Sequence, residues 1–188
     1  SSAAKEYLKV YGVLVGKKPL IFTNNDSAYE TAIEFKKNGI WPTVLDTRSN
    51  PDSEIISEAK RMDIDIRFSH VVIVAKGYKK VKSAEIAKIS EDKKDLGKIE
   101  NISCDCICVS GFWTPTIHLA SQSGNKTKFN KDIDAFVPDK SKQKETTLGS
   151  ANGIFNLEET LKTSFEAGYE ISKKITNNDN KISIPQVS

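Results

Sequence analysis

The chain has no apolar run approaching the roughly 18 residues that a membrane-spanning helix needs, and no secretory-leader pattern opens it. Methionine occurs once, at Met62, so residue 1 is not an initiator; the sequence is expected to be a fragment of a longer polypeptide. Histidine occurs twice, at His70 and His118. The three cysteines, an odd number, crowd into Cys104-Asp105-Cys106-Ile107-Cys108 and make no secreted disulfide framework, so a reducing cytoplasm is the expected compartment. The charges of opposite sign nearly cancel. The net charge is +3 over 188 residues, with lysines scattered among acids, which argues against nucleic acid or an anionic membrane as partner. The densest basic run, Lys76 to Lys82, reads as a solvated hairpin tip, because Gly77 and the flanking apolar alternation mark a turn.

What is present is an ordinary globular composition, 38% hydrophobic and 28% charged, in a chain long enough for one good core. Residues 1–16 contain a helical pattern (Ala4, Tyr7, Leu8, Tyr11) stopped by Gly12. Lys18 to Thr23 is a short buried-strand run. A helix follows, with Ala28, Tyr29, Ala32 and Ile33 inward and Asn25 or Asp26 as cap, ended by Asn38-Gly39. Thr43 to Asp46 is a second strand, Asn50-Pro51-Asp52 opens a second helix, and Ile64 to Phe68 is a third strand. This β-α-β-α-β order predicts a parallel sheet with right-handed crossovers. Val71 to Ala75 and Val81 to Ile89 then predict an antiparallel meander, followed by a charged loop over 91–98 and one more strand, Ile102 to Val109. The predicted class is α/β, a three-layer Rossmann-like FAD/NAD(P)-binding domain with a β-meander insertion. Residues 111–139 read as an irregular crossing segment. A long helix follows Asn156, its cap, and a frayed, flexible tail is expected over 177–188.

The turn after the first strand is where a dinucleotide fingerprint would place glycines for the tight bend, the pyrophosphate and helix packing. On that spacing stand Thr23, Asn25 and Ala28. Alanine serves the third position. Thr23 and Asn25 put β-carbons where phosphate oxygens would lie, and Asp26 adds negative charge at the helix N-terminus, where an anion would dock. Asp46 stands at the distance expected of a ribose-binding acid and equally suits a routine strand end. The expectation is a folded turn without its dinucleotide.

Cys104, Cys106 and Cys108, at i, i+2 and i+4, are predicted to share one strand face as small core hydrophobes; their spacing is neither a metal nor a redox motif. His70 reads as structural. His118 beside Ser121 and Ser123 lacks the nucleophile-elbow pattern that a hydrolase would show. Gly149-Ser150-Ala151-Asn152-Gly153, before a helix N-terminus, offers backbone access for a phosphate or a flavin edge and stands equally well as a plain turn.

Phe22-Thr23-Asn24-Asn25-Asp26-Ser27-Ala28-Tyr29, Val109-Ser110-Gly111-Phe112-Trp113-Thr114-Pro115 and His118-Leu119-Ala120-Ser121-Gln122-Ser123-Gly124 occur in this order. With Tyr11-Gly12-Val13 and Gly149 to Gly153 they resemble the alpha subunits of heterotetrameric sarcosine oxidases, from about Ala3 to Ile175. Family members usually carry Gly-Gly-Trp where this chain has Gly111-Phe112-Trp113. The resemblance implies a complex that oxidises sarcosine to glycine and hydrogen peroxide and passes a one-carbon unit to tetrahydrofolate. It implies beta, gamma and delta subunits, an NAD in the alpha subunit, and FAD and FMN in the complex. It assigns 1–16 to a preceding nucleotide-binding domain, 17–112 to a central Rossmann-like domain with the degenerate fingerprint (Thr23, Asn25, Asp46), and 113–176 to a crossover and closing helix of the first nucleotide domain. Gly111, Phe112, Gly149, Asn152, Gly153 and Phe155 would line the NAD; no catalytic residue and no metal are expected in this stretch. Rival expectations are an NAD(P)H-dependent flavin reductase in which Asp46 or Arg48 selects the cofactor, the alpha subunit of a related amino-acid dehydrogenase, and a non-enzymatic assembly module using the loop around Trp113 and Phe129.

Overall fold

The computed structural model describes residues 1–176, so the expected tail over 177–188 lies outside the described residues. The chain forms two units, residues 1–112 and residues from 113 onward.

In the first unit the strands β1 (Pro19–Thr23), β2 (Thr43–Asp46), β3 (Asp65–Phe68) and β7 (Cys106–Ser110) form a wholly parallel sheet in the order β3-β2-β1-β7. Three antiparallel strands, β4 (His70–Gly77), β5 (Val81–Ile89) and β6 (Leu96–Ser103), form a second sheet. Helices α1 (Ser2–Tyr11), α2 (Ser27–Lys37) and α3 (Glu54–Arg61) precede or link the parallel strands. The alternation of side chains along a strand sorts the core into two layers. Ile21, Val44 and Cys108 join the helix-side cluster with Ala28, Tyr29, Ala32, Phe35, Ile56 and Ala59. Leu20 and Leu45 join the opposite cluster with Ala84 and Ile86 of the meander. The parallel sheet is thus covered on both faces, which is why its strands read as continuous apolar runs. Helix α1 buries Ala4 in the helix-side cluster and pairs Lys5 with Glu30 and Lys9 with Glu34 of α2.

Two corners join the sheets. At the first, Ser69 takes a left-handed backbone (φ 55°) between β3 and β4; its N–H donates to Arg48 O and its carbonyl accepts from Ile89 N–H. At the second, between β6 and β7, Asp105 accepts the backbone N–H groups of Lys17 (2.7 Å) and Lys18 (2.8 Å).

This second corner corrects the predicted strand over 102–109. The stretch is broken at Cys104-Asp105 into the end of β6 and the whole of β7, and the last three residues of the expected charged loop over 91–98 are the start of β6. The three cysteines therefore do not share a face. Cys104 packs with the meander-side cluster, while Cys106 and Cys108 face the helix side. Cys104 and Cys108 are buried and Cys106 half-buried. Burial, reinforced by neighbouring Cys106, pushes the Cys108 thiol up to about 12. Two smaller corrections concern helix starts. Helix α3 begins at Glu54 after Ser53, later than Asn50-Pro51-Asp52 suggested. Asp26 makes no side-chain cap to α2; the cap comes from Asn25, whose Oδ1 accepts Ser27 N–H at 3.2 Å. The tip of the β4–β5 hairpin is exposed at Lys76 to Lys80, as expected of a solvated turn.

In the second unit the stretch expected to be irregular contains a short helix, α4 (His118–Gln122), and a hairpin of β8 (Thr127–Asn130) and β9 (Ala135–Pro138) with Phe129 edge-on to Phe136. A 3-10 turn over Gly149–Asn152 leads to α5 (Leu157–Thr176). Asn156 Oδ1 accepts Glu159 N–H at 3.0 Å, the expected N-terminal cap.

Candidate functional site

In an open parallel sheet, ligands bind beyond the carboxyl ends of the strands, at the place where the connections diverge to opposite sides. Here that place lies between β1 and β7: from β1 the chain passes through α2 to β2 on one side, while β7 pairs on the other. Thr23, Asn25 and Asp46 all stand at this edge, at the ends of β1 and β2.

Their side chains are engaged with one another and with the main chain. Thr23 is buried; its hydroxyl accepts Asn25 N–H (3.1 Å) and donates to Asn25 O (3.0 Å), closing the turn on itself. Asn25 reaches across the divide, and its Nδ2 donates to Gly111 O at 2.5 Å, just past the end of β7. No residue from Thr23 to Ala28 has a positive φ, so the bend needs no glycine.

Asp46 is fully buried. It accepts Tyr29 Oη–H (2.8 Å), Arg48 N–H (3.0 Å), Arg48 Nε–H (3.0 Å) and Arg48 Nη2–H (2.7 Å). Arg48 Nη2 also lies 2.8 Å from Asp26 Oδ1, an ion pair rather than an aligned hydrogen bond. The guanidinium therefore sits between two carboxylates, which outweigh its partial burial and raise its already high pKa. Burial, then the bond to Asp46, likewise raises the Tyr29 hydroxyl and keeps it a donor.

The chemistry of this donor set does not fit a dinucleotide. A ribose-binding carboxylate must offer free lone pairs to two hydroxyls, and those of Asp46 are taken by Tyr29 and Arg48. A pyrophosphate needs bare backbone N–H groups at the helix start; here Asn25 and Ser27 N–H are bound by Thr23 and Asn25 side chains, with the Asp26 carboxylate beside them. The sequence singled out Thr23, Asn25 and Asp46. It did not reveal that Tyr29 and Arg48 complete the cluster, although a tyrosine in the first helical turn and an arginine two residues past the strand-end acid were the available signals.

A cleft of about 530 Å³ opens beside this edge, lined by Ser49, Lys88, Ile89, Glu91, Asp95 and Leu96 among others. Its charges are mixed in sign. His70 Nδ1 lies 2.6 Å from Phe68 O, the expected structural role. Ser123 Oγ is within bonding distance of Glu145 (2.6 Å) and Ala120 O (2.9 Å), an arrangement in which His118 takes no part.

Of the remaining predicted lining residues, Gly111 and Phe112 follow β7, with Phe112 exposed. Gly149, Asn152, Gly153 and Phe155 belong to the second unit, where local packing explains the glycines. Both have positive φ (59° and 81°). A β-carbon on Gly153 would lie 2.6 Å from Ile133 Cδ1, and one on Gly149 3.1 Å from Thr160 Cγ2. Phe155 stacks at an angle against Trp113, ring centres 6.1 Å apart.

These features place the first unit in a recognisable class. The solved structure of Lactococcus lactis thioredoxin reductase (FR conformation) is similar with a TM-score of 0.66 at 16% identity, over 86% of this chain and 54% of that one. The fold is that of the FAD/NAD(P)-binding reductases: α/β, with a parallel sheet. No known family profile matches the chain.

The sequence relatives are more particular. The chain is 28% identical over 170 residues to sarcosine oxidase subunit alpha of Corynebacterium sp. (strain P-1), covering 89% of this chain and 17% of that protein. It is 29% identical over 153 residues to the subunit of the same name from Rhizobium meliloti (strain 1021), covering 80% and 14%. The expected resemblance is thus shown over most of the chain, which spans about a sixth of the length of these relatives and is consistent with an internal segment of such a subunit. Among the described residues no helix is long and apolar enough to cross a membrane.

Proposed function

We propose that this chain is a structural, cofactor-supporting segment of an oxidoreductase subunit of the sarcosine oxidase alpha type, and that its own dinucleotide turn holds no cofactor. The single observation that carries the second part is the buried Asp46, whose carboxylate is saturated by Tyr29 and Arg48. The sequence relatives support the first part. In this reading the complete complex oxidises sarcosine, passes the one-carbon unit to folate and works in the cytoplasm with beta, gamma and delta subunits. NAD is held in the alpha subunit's other nucleotide domain, with FAD and FMN elsewhere in the complex. Gly111, Phe112, Gly149, Asn152, Gly153 and Phe155 are its proposed NAD-facing residues from this segment; none of them carries catalysis.

A second reading, an assembly module, is favoured by the exposed apolar side chains of the second unit, Trp113, Leu119, Phe129 and Phe136. Deleting Gly111 to Phe129 from the whole subunit would then abolish assembly and spare its NAD content. The flavin-reductase reading loses support because Arg48, its cofactor-selecting cation, is bound between Asp46 and Asp26.

Calorimetric titration of the chain with NAD tests the proposal. No saturable heat is expected; a low-micromolar site would overturn it.

A further inference from the structure

Beyond the nucleotide edge, the most distinctive unassigned chemistry is a pair of thiols on β7. We propose that Cys106 and Cys108 form a dithiol site for a soft, thiophilic centre that takes two sulfurs and leaves no net charge, of the class of monosubstituted trivalent arsenicals. The two residues are two apart on one strand, so both side chains point to the helix side of the sheet. Their sulfurs lie 3.8 Å apart. Cys108 is buried and Cys106 only half-buried, which gives the pair a protected end and an approachable one. Cys104, in the opposite core cluster, is on the wrong side of the sheet to join them.

Geometry selects the ligand. Residues two apart on a strand have Cα atoms about 6.6 Å apart, near the upper limit for a disulfide, and their Cβ bonds run side by side rather than converging. A direct S–S bond would therefore require the backbone to move. An inserted atom removes that requirement: two bonds of about 2.3 Å each reach at most about 4.6 Å between sulfurs, so a separation of 3.8 Å fits a bent S–X–S bridge. A tetrahedral metal such as zinc would need further ligands. Among the described residues no three His, Cys, Asp or Glu side chains gather to hold a metal ion.

Electrostatics narrows the choice again. The thiols lie in an apolar cluster with Ala4, Leu8 and Val15, where an uncompensated charge is costly. Cu(I) held by two thiolates would leave one negative charge there. An arsenical does not: R–As=O with two Cys–SH gives R–As(S–Cys)₂ and water. Two As–S bonds form, the two thiol protons leave on the departing oxygen, and no oxidant or reductant is consumed. Hg(II) with two thiols would also be neutral, but it prefers a linear S–Hg–S unit with sulfurs about 4.6 Å apart, wider than the 3.8 Å found here.

The test treats the folded chain with one equivalent of phenylarsine oxide at neutral pH. Intact mass should show one adduct per chain that survives excess glutathione and is removed by 2,3-dimercaptopropanol. The adduct should persist in Cys104→Ser and vanish in Cys106→Ser. The wild-type chain supplies a check that needs no variant to fold: loaded, then unfolded in the presence of iodoacetamide, it should be alkylated at Cys104 and protected at Cys106 and Cys108. An adduct washed off by glutathione, one retained in Cys106→Ser, or alkylation at Cys106 and Cys108 overturns the proposal.

Discussion

Replacing Arg48 by methionine is the sharpest probe of the closed strand-end cluster, because it keeps most of the side chain's length and removes only the guanidinium. Asp46 has no exposed side-chain surface, while the arginine is 32% exposed. Stripping one partner from a fully buried ion pair costs about 3–5 kcal/mol, because it strands the other charge. Two corrections lower that figure. Asp46 keeps the Tyr29 hydroxyl and the backbone N–H of residue 48, and water can enter through the exposed side of the lost guanidinium. The expected loss is about 2–3 kcal/mol, or roughly 4–12 °C in Tm for a chain of this size. Urea melts followed by circular dichroism measure it. Adding Asp46→Asn should then cost much less than it does alone, with a coupling of about 1 kcal/mol or more, since the two residues share one network. Asp26→Asn, on a side chain 43% exposed, should cost under about 1 kcal/mol. A loss below about 0.5 kcal/mol for Arg48→Met, or strict additivity with Asp46→Asn, would show that the cluster does not hold the strand ends together.

Asp105 gives the chain an acid-sensitive corner. Partial burial pushes its carboxyl up, but the N–H groups of Lys17 and Lys18 outweigh that and hold it below the ordinary carboxylate range. With the folded pKa below the unfolded one, its contribution is complete above about pH 4 and is lost as pH falls through the folded value. The urea midpoint should therefore drop more steeply between about pH 5 and pH 2 for the wild-type chain than for Asp105→Asn; parallel curves would refute this role. At Gly16 a β-carbon would stand 2.5 Å from Asp105 Oδ1 and 2.8 Å from Cys106 Cβ. Gly16→Ala should cost about 1–3 kcal/mol in the same melts through overpacking, and a neutral result would mean that the strand β1 entry is looser than this contact implies.

The parallel core was legible because its physics is local. Thr43 to Asp46 is a compact apolar run ending in an acid, and the inward face of α2 repeats at helical spacing, so the elements could be read residue by residue. Strand β6 was not legible because nearly all of it is exposed and charged residues interrupt it; only Ile102 turns toward the core. The break at Asp105 depends on Lys17 and Lys18, nearly ninety residues earlier, and no window of neighbouring sequence contains that information. The same is true at the candidate site. Thr23, Asn25 and Asp46 were visible as departures from a glycine pattern, whereas the roles of Tyr29 and Arg48 arise only when α2 and the end of β2 meet. The hairpin of β8 and β9 carried little alternation to find, because three of the four β8 residues are exposed.

The bend from Thr23 to Ala28 is made entirely of residues with ordinary backbone angles. In the proposed reading no phosphate approaches it, and such a bend places few demands on which amino acids occupy it. In a bend without glycines, the feature that marks the strand end is an acid held by an arginine and a tyrosine of its own chain.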